Sequence, residues 1–111
     1  MARPYRPARE LEHHLDRGEL EFAIALARGI LRERGRSLDL DVMARFLPLI
    51  AGQRPEEYDI WALRWLERWC DELRGRAAIE DAVEVTQALA AIPGEAERAL
   101  ALLRRLARPG R

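Results

Sequence analysis

The chain contains no lysine and no asparagine, and it has one serine (Ser37), one threonine (Thr86) and one cysteine (Cys70). Each shortage removes a class of chemistry. Without lysine there is no phosphate-gripping Walker lysine, and no glycine-rich loop stands ready to cradle a phosphate. A lone cysteine cannot close an internal disulfide, which suits a reducing compartment. Ser37 lacks the flanking glycines that present a nucleophilic serine on a sharp turn. No run approaches the roughly 18 apolar residues that a membrane span requires. The opening stretch MARPYRPARELEHH has charges with no apolar run behind them, so it does not read as a secretory signal. The expectation is a soluble, cytoplasmic protein with no membrane association and no cofactor.

Charge is present in quantity and balanced, with 19 basic residues, all arginine, against 19 acidic ones. Its distribution is uneven. Arg3, Arg6 and Arg9 give residues 1–9 a charge of +3, and Arg104, Arg105, Arg108 and Arg111 give residues 104–111 a charge of +4, so the stretch between carries −7. Basic ends on an acidic body suit either nucleic-acid arms or plainly solvated termini. With 111 residues the expected organisation is one helical domain over 8–108. An extended basic segment, 1–7, precedes it, and a short tail, 109–111, follows.

The stretch Arg54–Arg74 holds all three tryptophans, one of the two tyrosines and the only cysteine. Pro55 suits a first helical position, where its missing N–H would have had no partner. Glu56, Glu57 and Asp59 follow where the helix dipole favours anions. Gly75 is the expected stop. Tyr58, Trp61, Ala62, Trp65, Leu66, Trp69 and Leu73 recur at steps of three and four and so share one face of a helix. Arg64, Glu67, Arg68, Asp71 and Glu72 occupy the other face, with Arg68–Glu72 among the pairs within reach. The aromatic stripe admits two uses. It can fill a core, the reading its periodicity favours. It can also line a groove that holds a partner helix or flat ligand.

Five further helices are predicted around this one. The first covers Ala8 to about His14. Asp16 and Glu19 have capping-box spacing, with Leu15 and Leu20 as a hydrophobic staple, so the second is expected from Arg17 to Arg34 with Gly35 as its stop. Its stripe is Leu20, Ala23, Ile24, Ala27, Ile30 and Leu31, widened by Phe22 and Leu26, which calls for cover on two sides. The third covers Leu40–Ala51, with Ser37, Asp39 and Asp41 offering cap oxygens. Pro48 within it should kink or split the helix. After the central helix, a fifth spans Ala78–Ala91 with Ile79, Ala82, Val83, Thr86, Leu89 and Ala90 inward. The sixth spans Glu95–Ala107 with Ala96, Ala99, Leu100, Leu103, Leu106 and Ala107 inward. No segment sustains period-two alternation, so the fold class is all-α without a sheet.

A repeat is embedded here. Residues 18–28 (GELEFAIALAR) and 94–104 (GEAERALALLR) are identical at seven of eleven positions. The offset suggests three helix pairs, a compact bundle or short array of helical hairpins. A Gly, an acid and then Ala-Ile or Ala-Leu resembles the start of the second helix of a tetratricopeptide repeat, over roughly a dozen residues in each of two places. The preceding helices lack that family's Trp…Leu-Gly…Tyr pattern and its closing Pro. The period is also longer, so the architecture is adopted without the family.

Residues able to carry chemistry are few. His13 and His14 are adjacent, about 100° apart on a helix, and cannot readily grip one ion together. Glu10 and His14 share a face, yet two ligands fall short of the four of a structural zinc site. Cys70 needs a neighbouring base before it can act as a nucleophile. Asp39 and Asp41 lack the further ligands and central glycine of a calcium loop. No catalytic or metal-binding set emerges, although a pocket lined by tryptophans near Glu10, His13, His14 or Cys70 is conceivable.

The expectation is a non-enzymatic helical domain for protein–protein interaction, an adaptor or assembly element able to form a homodimer. Tyr58, Trp61, Trp65, Trp69 and Phe46 are its candidate partner-binding residues. The alternative is a nucleic-acid-binding regulator using Arg3, Arg6, Arg9, Arg104, Arg105 and Arg108.

Overall fold

The computed structural model describes residues 7–35, 38–73 and 78–108, and among them every regular element is helical. They are α1 (Pro7–Asp16), α2 (Leu20–Arg34), α3 (Leu40–Ala44), α4 (Phe46–Gln53), α5 (Tyr58–Glu72), α6 (Ile79–Ala91) and α7 (Ala96–Leu106), with a 3-10 turn at Pro55–Glu57. The protein is all-α. Its chain divides into two compact units, Met1–Asp39 and Leu40–Arg111. The expected stop at Gly75, the cap oxygen of Ser37 and the terminal Pro109-Gly110 lie outside the described residues.

In the first unit α1 and α2 pack as a hairpin. Its turn differs from the expected capping box. Asp16 is still the last residue of α1, and α2 begins only at Leu20. Gly18 takes the left-handed conformation (φ 71°), which reverses the chain between them at little cost for a residue without Cβ. Glu19 precedes α2 without capping it through its side chain. Its carboxylate accepts instead from Nδ1 of His14, 2.7 Å away. Leu15 and Leu20 are both buried. At the other end Gly35 adopts φ 67° and donates its N–H to the Leu31 carbonyl, the expected stop. Leu20, Ala23, Ile24 and Ile30 are buried, whereas Leu31 and Phe22 are exposed. The cover expected on two sides of α2 is thus partial.

In the second unit Pro48 does split the predicted third helix. The break falls at Arg45, whose N–H closes a tight turn onto the Val42 carbonyl at 3.1 Å. Pro48 thereby becomes the third residue of α4, where backbone N–H groups lack helical partners in any case. Leu40, Ala44, Phe46, Leu47 and Ile50 are buried. Within this unit α5 packs against α3, α4 and α6, and α6 pairs with α7.

The sequence repeat has a structural counterpart. Each copy opens the second helix of a hairpin, α2 or α7. In each, the Glu before the helix leaves its side chain uncapped while its carbonyl accepts from the Ala four residues on, at 3.0 Å. Ala23 and Ala99, the matching small residues, are both buried.

Candidate functional site

Most of the aromatic side chains named for a partner surface lie inside the second unit. Phe46, Tyr58, Trp65 and Trp69 are buried. Only Trp61 of the five candidates is half-exposed, and its ring stacks on Phe46 with centroids 5.9 Å apart. The polar atoms of the other three aromatic residues on α5 are used internally. Trp65 Nε1 donates to the Leu40 carbonyl at 3.0 Å, Trp69 Nε1 to the Leu106 carbonyl at 2.9 Å, and the Tyr58 hydroxyl to the Leu89 carbonyl at 2.5 Å. These bonds tie α5 to α3, α7 and α6.

The acceptors are chosen by helix geometry. Leu106 ends α7, where a carbonyl has no N–H of its own helix to accept from. Leu89 is a stronger case. Its helical donor would be the N–H of residue 93, which is proline and has none. Tyr58 supplies the missing proton. Burial, and then the neighbouring charge of Asp59, push the phenol from its ordinary 10.0 up to about 12, so it remains a donor at neutral pH.

The arginine candidates fare differently from one another. Arg3 and Arg6 lie outside the described residues, and Arg9 is exposed. Arg104 Nε donates to Asp41 Oδ1 at 2.6 Å, and Arg108 Nη2 stands 3.7 Å from Asp41 Oδ2. Burial raises the Asp41 pKa, but the Arg104 hydrogen bond and the charges of Arg104 and Arg108 outweigh it and hold the carboxyl below its ordinary value. Arg105 is mostly solvated, 3.9 Å from Glu84 Oε2. Arg104 and Arg108, two of the side chains named for nucleic acid, are thus drawn to one carboxylate.

His14 bonds to Glu19 and stacks on Phe22, with centroids 5.2 Å apart. That hydrogen bond is the main cause that holds the Glu19 carboxyl below its ordinary value. Among the described residues no three His, Cys, Asp or Glu side chains gather where an ion could be held. Cys70 is exposed on α5. Among the described residues, too, no helix is long and apolar enough to cross a membrane.

The open apolar surface lies where it was not expected. Ile79 and Val83, expected inward, are 79% and 50% exposed. Thr86 and Ala90, also assigned inward, are exposed as well. Of the expected inward set Leu89 is buried and Ala82 half-buried; Val85 and Ala88 complete the buried side of α6, continued by Ile92. Ile60 and Leu63, outside the predicted stripe of α5, add a second exposed pair. The signal for α6 was in the sequence: its apolar residues exceed what one packed face can hold, and only Glu80, Asp81, Glu84 and Gln87 interrupt them besides Thr86. No protein family, no curated protein and no solved structure matches this chain.

Proposed function

We propose that this chain is a non-enzymatic helical protein-interaction domain, an adaptor or assembly element of the cytoplasm, and that α6 rather than the tryptophan stripe carries its contact. The observation behind this is the outer side of α6. Ile79, Val83, Thr86 and Ala90 recur at steps of four, three and four, the spacing at which one helix lays a stripe against another. The only hydroxyl among them is occupied, because Thr86 Oγ1 donates to the Ala82 carbonyl at 2.9 Å. An open apolar stripe at the spacing by which helices dock supports this reading. The exposed Cys70, with no second cysteine to bond within the chain, fits a reducing compartment.

The test is a photo-crosslinking residue placed at position 83 of the full chain in the cell that makes it, with a control at Glu97, exposed on α7. A discrete adduct from position 83 and none from 97 is the expected result. Equal or absent crosslinking at the two positions refutes the reading.

A further inference from the structure

We infer that the outer face of α6 receives a single amphipathic helix of another protein, one whose apolar stripe is edged by arginine or lysine. This rests on the reading of α6 as the contact surface and names what covers it.

Size is the first ground. The stripe from Ile79 to Ala90 covers eleven helical steps, ~17 Å at the helical rise. A strip of that length and the width of one helix, about 10 Å, presents a few hundred Å² at most. A stable dimer of folded domains buries roughly 800 Å² on each partner. The face is too small to hold a second copy by itself, and it matches one helical segment docked along its length.

Charge is the second ground. Between Ile79 and Ala91 there are three acids, Glu80, Asp81 and Glu84, and no basic residue. Asp81 is committed to its own helix, since its Oδ2 accepts the Ala78 N–H at 3.0 Å. Glu80 and Glu84 remain, one turn apart on the flank of α6 beside Val83, with Glu80 the nearer to the stripe. Glu80 is exposed, and among the described residues Glu84 is approached by Arg105 at 3.9 Å. Two α6 faces laid together would crowd these carboxylates, whereas a basic edge would pair with them. Exposed pairs of this kind select a partner more than they bind it.

The experiment uses the full chain and three labelled 18-residue helical peptides. One carries an apolar stripe edged by arginine, one the same stripe edged by glutamate, and one the arginines without a stripe. Fluorescence anisotropy reads binding. The arginine-edged peptide should bind at least tenfold tighter than either of the others, and weaken at high salt. Val83→Asp should reduce that binding at least tenfold. Glu80→Arg with Glu84→Arg should reverse the preference toward the glutamate-edged peptide. Both variants change exposed or half-exposed positions, and circular dichroism checks that they stay helical.

Binding of both striped peptides alike, lost in Val83→Asp, overturns the basic edge while leaving α6 as the contact surface. Doubling of the solution mass by light scattering, abolished by Val83→Asp, overturns the single-helix partner in favour of a second copy. No binding by any peptide overturns the inference. A failed crosslink at position 83 is the separate result that removes the contact surface itself.

Discussion

Replacing Tyr58 with phenylalanine removes one oxygen atom and tests how this fold meets its hydrogen-bonding obligations. The hydroxyl donates to the Leu89 carbonyl at 2.5 Å, and both residues are buried. In a helix that carbonyl would accept from residue 93, but Pro93 has no N–H. An ordinary hydrogen bond contributes about 0.5–1.5 kcal/mol net, and a buried acceptor left without a donor costs about 1–3 kcal/mol. Tyr58→Phe should therefore cost roughly 1.5–2 kcal/mol. With a urea slope of ~1.5 kcal/mol per molar, the unfolding midpoint should fall by about 1 M, the slope itself unchanged.

The discriminating step is a double-mutant cycle. Pro93→Ala restores an N–H at the position from which a helix would satisfy Leu89. Against that background Tyr58→Phe should cost less, with a coupling of about 1 kcal/mol between the two sites. Alkaline titration adds an independent reading. Folding raises the phenol pKa from 10.0 to about 12, so its stabilising contribution is complete below pH 10 and is lost as pH rises from there through 12. Tyr58→Phe should flatten that part of the stability profile. A phenylalanine variant as stable as the parent, or costs that simply add in the cycle, would refute the proposed role of Pro93.

Other expectations can be checked by the same denaturation assays. Gly29 and Gly35 should respond to alanine with opposite signs. An added Cβ at Gly29 meets nothing within 4 Å and lies inside α2, so Gly29→Ala should stabilise by about 0.5–1 kcal/mol. Gly35 meets nothing either but sits at φ 67°, so Gly35→Ala should cost about 1 kcal/mol. Trp69→Phe removes the donor to Leu106 and part of a buried ring, and should cost roughly 1–3 kcal/mol, with faster amide exchange at the end of α7. Asp41→Asn should cost under about 1 kcal/mol at neutral pH, because its arginine partners are partly solvated. The folded state holds the Asp41 pKa below 3.8, so its contribution is present above that value and lost as pH falls through the lower one. The variant should accordingly be less acid-sensitive than the parent in that range.

What the sequence disclosed depended on how local the cause was. Pro48 announced the break between α3 and α4 because the missing N–H and the bulky ring act within one turn. Gly35 announced the end of α2 for the same reason. The stripe from Tyr58 to Leu73 was legible because charged residues fill most of the opposite face of α5, leaving one way to orient the helix. The α1–α2 turn was misread because Asp16, Glu19 and the leucines beside them do have capping-box spacing. His14 competes for the same carboxylate, and Gly18 lets the chain reverse without a cap. Nothing in the spacing of Trp65 and Leu40, or of Trp69 and Leu106, foretells their hydrogen bonds. Those pairs are 25 and 37 residues apart and meet only in the folded unit.

The helix proposed to carry the contact, α6, is the one whose orientation periodicity leaves open. α6 has one apolar set at Val85, Ala88, Leu89 and Ile92, and a second at Ile79, Val83, Thr86 and Ala90, rotated by more than a quarter turn. Periodicity shows that both exist and gives no rule for choosing between them. The structure places the first set inside, where Leu89 presents its carbonyl to Tyr58 and the chain turns at Pro93 toward α7. Burying Ile79 and Val83 instead would rotate Leu89 away from that donor, and its carbonyl would then have neither a tyrosine nor a helical N–H. The same proline that obliges Tyr58 to bond Leu89 thus helps determine which face of α6 remains outside. On this account, the residues that fix the core of the second unit also set the register of its proposed contact surface.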